Sequence, residues 1–255
     1  LGLKHPFHPG YANPWNYAEP GTYDNSWTIM SYTNASSANP SGVPHYASTP
    51  MYLDVLALEY IYGRSNLREF EGDTDHAVTS SNSYQALVDY SGINTVNFSA
   101  ASQGWEVYSA DANYYGFAIE QGEIYPNAQT YDLLGSFYNI TGSNYDDTIW
   151  SSAVQNIILA GDGNDVIVSG GGGDTIDGGI GSDRLVFTQD LSNLTFTETD
   201  YDIYSVHQGS TLLARLTNIE TFAFGYGTSD YYERSLEQID FSDSLGTITA
   251  TLSAS

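Results

Sequence analysis

The sequence predicts a mainly β protein whose second half forms a parallel β solenoid, with a single helix near its beginning. Three features support this fold class. Short runs of β-branched and aromatic residues, separated by Gly, Asn and Asp, recur from about Ser65 onward. A nine-residue repeat keeps its register from Gly142 to Val186. Only residues 50–62 place apolar side chains near helical spacing, so one helix is expected.

The predicted helix is the only regular element expected in the first quarter of the chain. Thr49 is a possible N-cap, and Gly63 would end the helix. Residues 6–48 are rich in Pro, Asn, Gly, Ser and Tyr, which favours ordered loops held without regular ladders. The chain therefore divides into a loop-rich, one-helix segment (1–64), a β connecting region (65–141), the solenoid (142–187) and a C-terminal β region (188–255).

The charge of the chain limits its partners. With 31 acidic and 6 basic residues, the formal net charge is −25. Nucleic acids and anionic membranes bind clustered Lys and Arg, so cations are expected partners and nucleic acid is not. No run of apolar residues is long enough for a membrane span. Because there is no Cys, the available metal ligands are His, carboxylate, Tyr and backbone oxygen.

The repeat has five copies, of which the last three are the best preserved. They are GSNYDDTIW (142–150), SSAVQNIIL (151–159), AGDGNDVIV (160–168), SGGGGDTID (169–177) and GGIGSDRLV (178–186). The sixth residue of each copy is Asp or Asn, and the eighth is Ile or Leu. Gly at the second and fourth places permits a sharp turn, and the eighth residue would point inward from a short strand. Each nonapeptide is therefore expected to form half a coil.

Turns eighteen residues apart should stack on one edge of the solenoid and bring their sixth residues together. Asp147, Asp165 and Asp183 share one edge, and Asn156 and Asp174 share the other. Stacked carboxylates repel one another unless a cation lies between them. A flexible ring of carbonyl oxygens suits Ca²⁺ better than Mg²⁺, so calcium binding is expected to supply folding free energy. The alternative is a Gly-rich loop with solvated acids, which five copies in register disfavour.

The GGxGxDxUx pattern of the last three copies resembles the RTX parallel β-roll. In that family an ion lies between the second and fourth carbonyls and the Asp of one turn, and the first and third carbonyls and the Asp of the turn eighteen residues on. The resemblance implies a first site from Gly161, Gly163, Asp165, Gly178, Ile180 and Asp183. It implies a second from Ser143, Tyr145, Asp147, Ala160, Asp162 and Asp165. A third would use Ser152, Val154, Asn156, Ser169, Gly171 and Asp174, with Asn156 in place of the family's Asp.

Two segments near the beginning of the chain resemble the metzincin zinc peptidases, and most closely the serralysin family, which couples that catalytic domain to an RTX β-roll. They are LGLKHP (1–6) and WTIMSY (27–32), which match the end of the zinc motif and the Met-turn. The resemblance implies that His5 binds zinc, that Met30 forms the apolar floor under the metal, and that Tyr32 is a zinc ligand and a catalytic hydrogen-bond donor. Core packing is the alternative for Met30, and a structural hydroxyl for Tyr32.

The serralysin resemblance also extends to segments that bind structural calcium, EGDT (71–74) and DYSGINTVNFSA (89–100). The implied ligands are Phe70, Gly72 and Thr74, facing Asp89, Ser91, Gly92 and Asn94, where Asn94 replaces a family Asp.

The resemblance implies a C-terminal portion of a secreted, monomeric zinc metalloendopeptidase that carries several calcium ions. Residues 1–64 would be the C-terminal part of its metzincin-like catalytic domain. The intact parent would hold zinc, act on proteins or peptides, and leave a bacterial cell by type I export to the extracellular medium. The HExxH part of the zinc motif would precede Leu1, so the chain alone is expected to be inactive. The alternative is a non-enzymatic, calcium-binding RTX module that serves secretion or adhesion.

Overall fold

A computed structural model describes residues 46–63, 72–79, 83–110, 115–122, 128–200, 203–227, 231–236, 239 and 248–249. Within these ranges the chain is mainly β, with one α-helix, α1 (Tyr52–Tyr62), and a 3-10 helix (Leu191–Asn193), which confirms the predicted fold class. The strands are β1 (Tyr46–Ala47), β2 (Asp75–Ala77), β3 (Ser83–Asn97), β4 (Trp105–Tyr108), β5 (Tyr115–Glu120), β6 (Thr130–Thr141), β7 (Thr148–Trp150), β8 (Ile157–Leu159), β9 (Val166–Ser169), β10 (Asp174–Asp177), β11 (Arg184–Phe187), β12 (Thr195–Asp200), β13 (Ile203–Gln208), β14 (Thr211–Thr217), β15 (Thr221–Phe224), β16 (Tyr232–Ser235) and β17 (Ile248–Thr249). Neither described helix has the length and apolar character needed to cross a membrane.

The helix lies where the sequence predicts it and ends as predicted. Asp54 in its first turn accepts a hydrogen bond from the Met51 N–H (2.9 Å), which satisfies one of the free donors at the helix N-terminus. Gly63 ends the helix with φ +81°, and its N–H donates to the Glu59 carbonyl (2.8 Å).

Two expectations for the segment before the helix were wrong. Met51, and not Thr49, is the N-cap, because the Thr49 hydroxyl accepts a hydrogen bond from the Ala86 N–H of β3 (2.7 Å). The end of the loop predicted over residues 6–48 contains β1, which pairs in parallel with the start of β3. Both differences arise because β3 presents backbone groups that the preceding chain satisfies, a long-range contact that no local pattern reveals.

The repeats form two parallel ladders of short strands, one on each side of the roll. Strands β4, β7, β9, β11 and β15 make one ladder. Strands β6, β8, β10 and β14 make the other. Ile149 pairs with Ile167 and Ile167 pairs with Leu185, so each strand stacks on the one eighteen residues earlier. This register confirms that one nonapeptide is half a coil.

The eighth residue of every repeat fills the space between the two ladders. Ile149, Ile158, Ile167, Ile176 and Leu185 are each no more than 1% exposed. The same rows continue into the flanking strands as Val107 and Phe222 on one side and Ile140 and Leu216 on the other, all equally buried. The apolar core therefore extends beyond the repeats in both directions, which keeps the turns at the edges of the roll in fixed positions.

The chain after the repeats leaves the roll and then returns to it. Strands β12, β13 and β14 form an antiparallel meander, and β14 pairs in parallel with β10. Strand β15 then pairs in parallel with β11. The short connection between β14 and β15, residues 218–220, thus crosses the roll at the edge where the Asp183 turn lies.

Candidate calcium sites

The sixth residues of three repeats form a column along one edge of the roll. The Asp147 N–H donates to Asp165 Oδ1 (2.7 Å), and the Asp165 N–H donates to Asp183 Oδ1 (2.8 Å). Each of the three Asp residues is no more than 1% exposed. One oxygen of each later carboxylate is therefore used to hold the preceding turn, and the structure brings together the acidic residues that the repeat pattern predicts to be neighbours.

Glycine allows the turns that carry these residues to approach one another closely. Gly161 and Gly163 have φ +114° and +128°, a region that residues with a Cβ rarely adopt. A Cβ on Gly161 would lie 2.0 Å from the Ser143 carbonyl oxygen of the turn below. Close stacking of the turns thus depends on the glycines of the repeat and on their backbone conformation.

Replacing Gly179 with Ala should destabilise the calcium-loaded roll far more than replacing Gly122. Both have positive φ, +93° and +81°, but an added Cβ on Gly179 would lie 1.9 Å from the Gly161 carbonyl oxygen, whereas Gly122 has nothing within 4 Å. We expect a loss of about 1 to 2 kcal/mol for Gly122→Ala from the left-handed backbone alone. For Gly179→Ala we expect more than about 3 kcal/mol, because the turns would have to separate. Denaturant unfolding at saturating calcium measures both, and equal losses would contradict the close stacking.

Two carboxylate oxygens in the column have no partner. Asp165 Oδ2 and Asp183 Oδ2 are buried, and no described residue donates a hydrogen bond to either. Asp147 differs, since its Oδ2 accepts from the Ser143 N–H (2.6 Å) and its Oδ1 from the Ser143 hydroxyl (3.1 Å). A buried carboxylate oxygen without a donor is costly unless a proton or a cation compensates it. These two atoms fit the oxygen donors that Ca²⁺ prefers.

The electrostatics of the column favour protons when no cation is bound. Burial, with smaller contributions from the Asp147 and Asp183 carboxylates, raises the pKa of Asp165 to about 7, although the hydrogen bond from the Asp147 N–H acts in the opposite direction. Burial likewise raises the pKa of Asp183 to about 6, with a contribution from Glu220. A divalent cation between the carboxylates would replace these protons and stabilise the ionised form.

The predicted carbonyl ligands lie at the same edge. The Gly161 carbonyl accepts a hydrogen bond from the Ile180 N–H (2.9 Å), and the Ile180 carbonyl accepts one from the Gly163 N–H (2.9 Å). A carbonyl oxygen has a second lone pair, so these bonds still allow it to contact a cation. In the described part of the chain, no three His, Asp or Glu side chains come close enough to hold a metal by themselves. A cation here would take most of its ligands from the backbone.

The opposite edge has no free carboxylate oxygen in its pair of sixth residues. The Asn156 N–H donates to Asp174 Oδ1 (2.9 Å), and the Ser151 hydroxyl donates to Asp174 Oδ2 (2.8 Å). The Asn156 amide accepts from the Ser152 N–H (3.1 Å) and donates to the Tyr138 carbonyl (2.6 Å). Hydrogen bonds within the protein therefore already satisfy the Asn156 and Asp174 side chains, so a cation has less to compensate there. The other residues of this third predicted set are Ser152, Val154, Ser169 and Gly171.

The predicted site between residues 72–74 and 89–94 is brought together as well. A Cβ on Gly92 would lie 2.2 Å from the Gly72 carbonyl oxygen, so the two segments touch. Asp89 Oδ1 accepts from the Ser91 N–H (3.1 Å) and hydroxyl (3.0 Å), and Asp89 Oδ2 lies 3.0 Å from His76 Nε2. His76 was not predicted from the sequence. Its Nε2 contacts Asp89 Oδ2, the oxygen that a cation would use.

Asn94 holds these two segments together where the family has an Asp. Its Oδ1 accepts from the Thr74 N–H (3.1 Å), and its Nδ2 donates to the Asp89 carbonyl (3.1 Å) and the Ser136 hydroxyl (3.2 Å). A neutral amide thus makes the connection through three hydrogen bonds. Phe70, the remaining predicted ligand, lies outside the described residues.

The predicted zinc residues, His5, Met30 and Tyr32, also lie outside the described residues, so their roles stay predictions.

The residues at the two ends of the column were not predicted from the sequence. The Trp105 N–H donates to Asp147 Oδ1 (2.5 Å) at one end, and the Asp183 N–H donates to Glu220 Oε2 (2.7 Å) at the other. Neither residue belongs to a repeat copy. The only available signal was a carboxylate directly before the strand run TFAF.

Comparisons with known proteins found similar repeats and a similar protein. A family model described as the RTX calcium-binding nonapeptide repeat matches residues 155–185. The metallopeptidase AprA of Pseudomonas marginalis is 29% identical over 149 residues, which covers 55% of this chain and 30% of that protein. The matched part thus spans less than a third of the length of this curated relative. Residues 155–185 therefore resemble RTX calcium-binding repeats, and the chain that contains them resembles the serralysin-like RTX proteins.

Proposed function

We propose that this chain is a portion of a secreted zinc-dependent metalloendopeptidase, in which residues 1–64 belong to the catalytic domain and calcium stabilises the RTX part. The observation that supports the calcium role most directly is the pair of buried oxygens, Asp165 Oδ2 and Asp183 Oδ2, which have no donor among the described residues. These oxygens lie in adjacent turns of a column whose other carboxylate oxygens hold the backbone. We propose that one oxygen of each carboxylate is structural and that the other binds the cation.

The first predicted set is the strongest candidate for an occupied site. It combines the Asp165 and Asp183 carboxylates with the carbonyls of Gly161, Gly163, Gly178 and Ile180, from turns that hydrogen bonds already align. Bound calcium would neutralise the two carboxylates and hold the turns together. Six oxygens in a ring of flexible turns suit Ca²⁺, because Mg²⁺ requires a tighter octahedron and keeps its waters. In the second set, Asp147 has protein donors on both oxygens, so Asp165 would supply the free one.

The peptidase part of the proposal rests on similarity. The chain is similar to a protein named a metallopeptidase, and LGLKHP and WTIMSY resemble metzincin motifs. A catalytic zinc takes three protein ligands and keeps one position open for water. His5 and Tyr32 supply two, so we propose that this chain alone holds no catalytic zinc and cleaves no peptide bond. The intact protein would act on proteins or peptides.

Calcium modules of extracellular proteins bind calcium with dissociation constants of about 10⁻⁴ to 10⁻³ M. These values lie well above the cytosolic calcium concentration, so a roll of this kind would stay without calcium inside the cell, and secretion is proposed for this reason. The roll would then fold only after export, consistent with a type I route. We further propose that the chain is a monomer.

Titration calorimetry of the full chain with calcium and with magnesium tests the proposed function. We expect calcium to bind in the range of about 10⁻⁴ to 10⁻³ M and magnesium to bind at least about tenfold more weakly. No heat of calcium binding, or equal affinity for the two ions, would overturn the proposal. Elemental analysis of the same sample should find no tightly held zinc. One zinc per chain would contradict the proposed inactivity, and no HExxH in the full-length protein would favour the non-enzymatic RTX module.

A further inference from the structure

Residues 217–221, between β14 and β15, stack on the last repeat as another turn would. In the repeats, the N–H of the first residue donates to the carbonyl that precedes the next turn on the same edge, as Ala160 does to Asp177 (2.9 Å). Gly178 makes the same bond to Thr217 (3.1 Å). The N–H that follows the sixth residue donates back to the Asp carbonyl one turn earlier, and Thr221 does so to Asp183 (3.0 Å). Two of the hydrogen bonds that join consecutive turns are therefore present between the last repeat and residues 217–221.

The contacts at Gly178 give the same result. At Gly142, an added Cβ would lie 2.0 Å from the first carbonyl oxygen of the next turn and 2.7 Å from the sixth carboxylate of its own turn. At Gly178 the corresponding distances are 2.0 Å to the Asn218 carbonyl oxygen and 2.7 Å to Asp183 Oδ2. The Asn218 carbonyl thus stands where the first carbonyl of a further repeat would be. Asn218 has φ +53°, the only positive φ outside glycine among the described residues.

Glu220 takes the place of the sixth residue in this turn. The Asp183 N–H donates to Glu220 Oε2 (2.7 Å), as the Asp165 N–H donates to Asp183 Oδ1 (2.8 Å). A repeat uses six residues from its first to its sixth place, and residues 218–220 use three. Glu is one methylene longer than Asp, and this extra length compensates for the shorter backbone.

Each carboxylate at this end of the column keeps one oxygen free of protein donors. Asp183 is fully buried, and its Oδ2 has no partner in the part of the chain that the structure describes. Glu220 is exposed, and no described donor contacts its Oε1. The free Asp183 oxygen lies against the same Gly178 position as the Asn218 carbonyl.

We propose that residues 217–221 are a shortened terminal turn that completes a further calcium site, with the Asp183 and Glu220 carboxylates and the Asn218 carbonyl as ligands. The inference rests on the proposed calcium-binding function of the repeats and adds an ion beyond them, with the Asp183 carboxylate shared between this ion and the ion of the first set. Carbonyls of the last repeat and water would complete the coordination that Ca²⁺ requires.

Counting bound calcium in Glu220→Gln tests this site. We expect the variant to lose one calcium per chain, or to bind one calcium at least tenfold more weakly, in titration calorimetry of the full chain. Glu198→Gln is the matched control, because Glu198 is an exposed acid on β12 with the same change of charge, and its titration should match that of the unmodified chain. A Glu220→Gln titration identical to that of Glu198→Gln would overturn the inference.

Failure of this inference can be distinguished from failure of the proposed function. If the unmodified chain binds no calcium, the proposed function is wrong. If it binds calcium and Glu220→Gln binds the same number of ions equally well, only the terminal site is wrong. Glu220→Asp provides a second test should Glu220→Gln not fold, because it keeps the charge and shortens the side chain. We expect Glu220→Asp to lose the ion as well, and full binding by this variant would contradict the site.

Discussion

Removing calcium should unfold the β-roll, with a large loss of strand signal in far-ultraviolet circular dichroism. Asp165 and Asp183 are fully buried, and each has an oxygen that no described donor contacts. Without a cation, their ionised forms carry the full penalty of burial and of mutual repulsion. Folding at neutral pH therefore requires either protons or calcium, and calcium binding becomes folding free energy.

The expected size of this effect is a large part of the stability of the domain. A site with a free calcium concentration of 100 times its dissociation constant contributes about 2.7 kcal/mol, and two such sites approach the stability of about 5 to 15 kcal/mol of a typical domain. Hydrogen exchange should show loss of protection across residues 142–187 in EGTA. Magnesium chloride, at the same ionic strength as the calcium sample, is the control. A strand signal in EGTA equal to that in calcium would disprove the coupling of folding to calcium.

Asp165→Asn should have opposite effects with and without calcium. With calcium, the variant loses the carboxylate that faces both neighbouring turns, so we expect the calcium affinity to fall at least tenfold, or about 1.4 kcal/mol. Without calcium at pH 8, the neutral amide no longer carries the charge whose burial raises the pKa of Asp165 to about 7. Its oxygen still accepts the hydrogen bond from the Asp147 N–H. The variant should therefore retain more strand signal in EGTA than the unmodified chain.

Glu198→Gln, the control for Glu220→Gln, is also the control for this variant. Glu198 is an exposed acid on β12 and belongs to no predicted calcium site, so the substitution makes the same change of charge without removing a buried carboxylate. Its calcium titration and its signal in EGTA should stay close to those of the unmodified chain. A parallel loss of stability by Asp165→Asn in both conditions would show that the carboxylate is structural and binds no cation.

The periodic part of the fold was predictable because every nine-residue copy places the same types of residue at the same positions. The sixth and eighth residues recur every nine positions, so the pattern alone places Ile167 in the core and Asp165 beside Asp183. The helix was predictable from the local spacing of its apolar residues, and its end was predictable from Gly63, which adopts the positive φ that commonly ends a helix. These features depend on residues that are close in sequence or on a strict period.

The nine-residue period and the local spacing of apolar residues were enough to predict the β solenoid, the helix α1 and the edge on which the acidic residues gather. Which carboxylate oxygens are free depends on contacts that form only in the folded chain. Ser143 satisfies Asp147, whereas Asp165 and Asp183 each keep one oxygen without a described donor. The place of Glu220 at the end of the column likewise depends on a contact between residues 37 positions apart. The physical reason is that hydrogen-bond satisfaction depends on every group that surrounds an atom, and those groups come from distant parts of the chain.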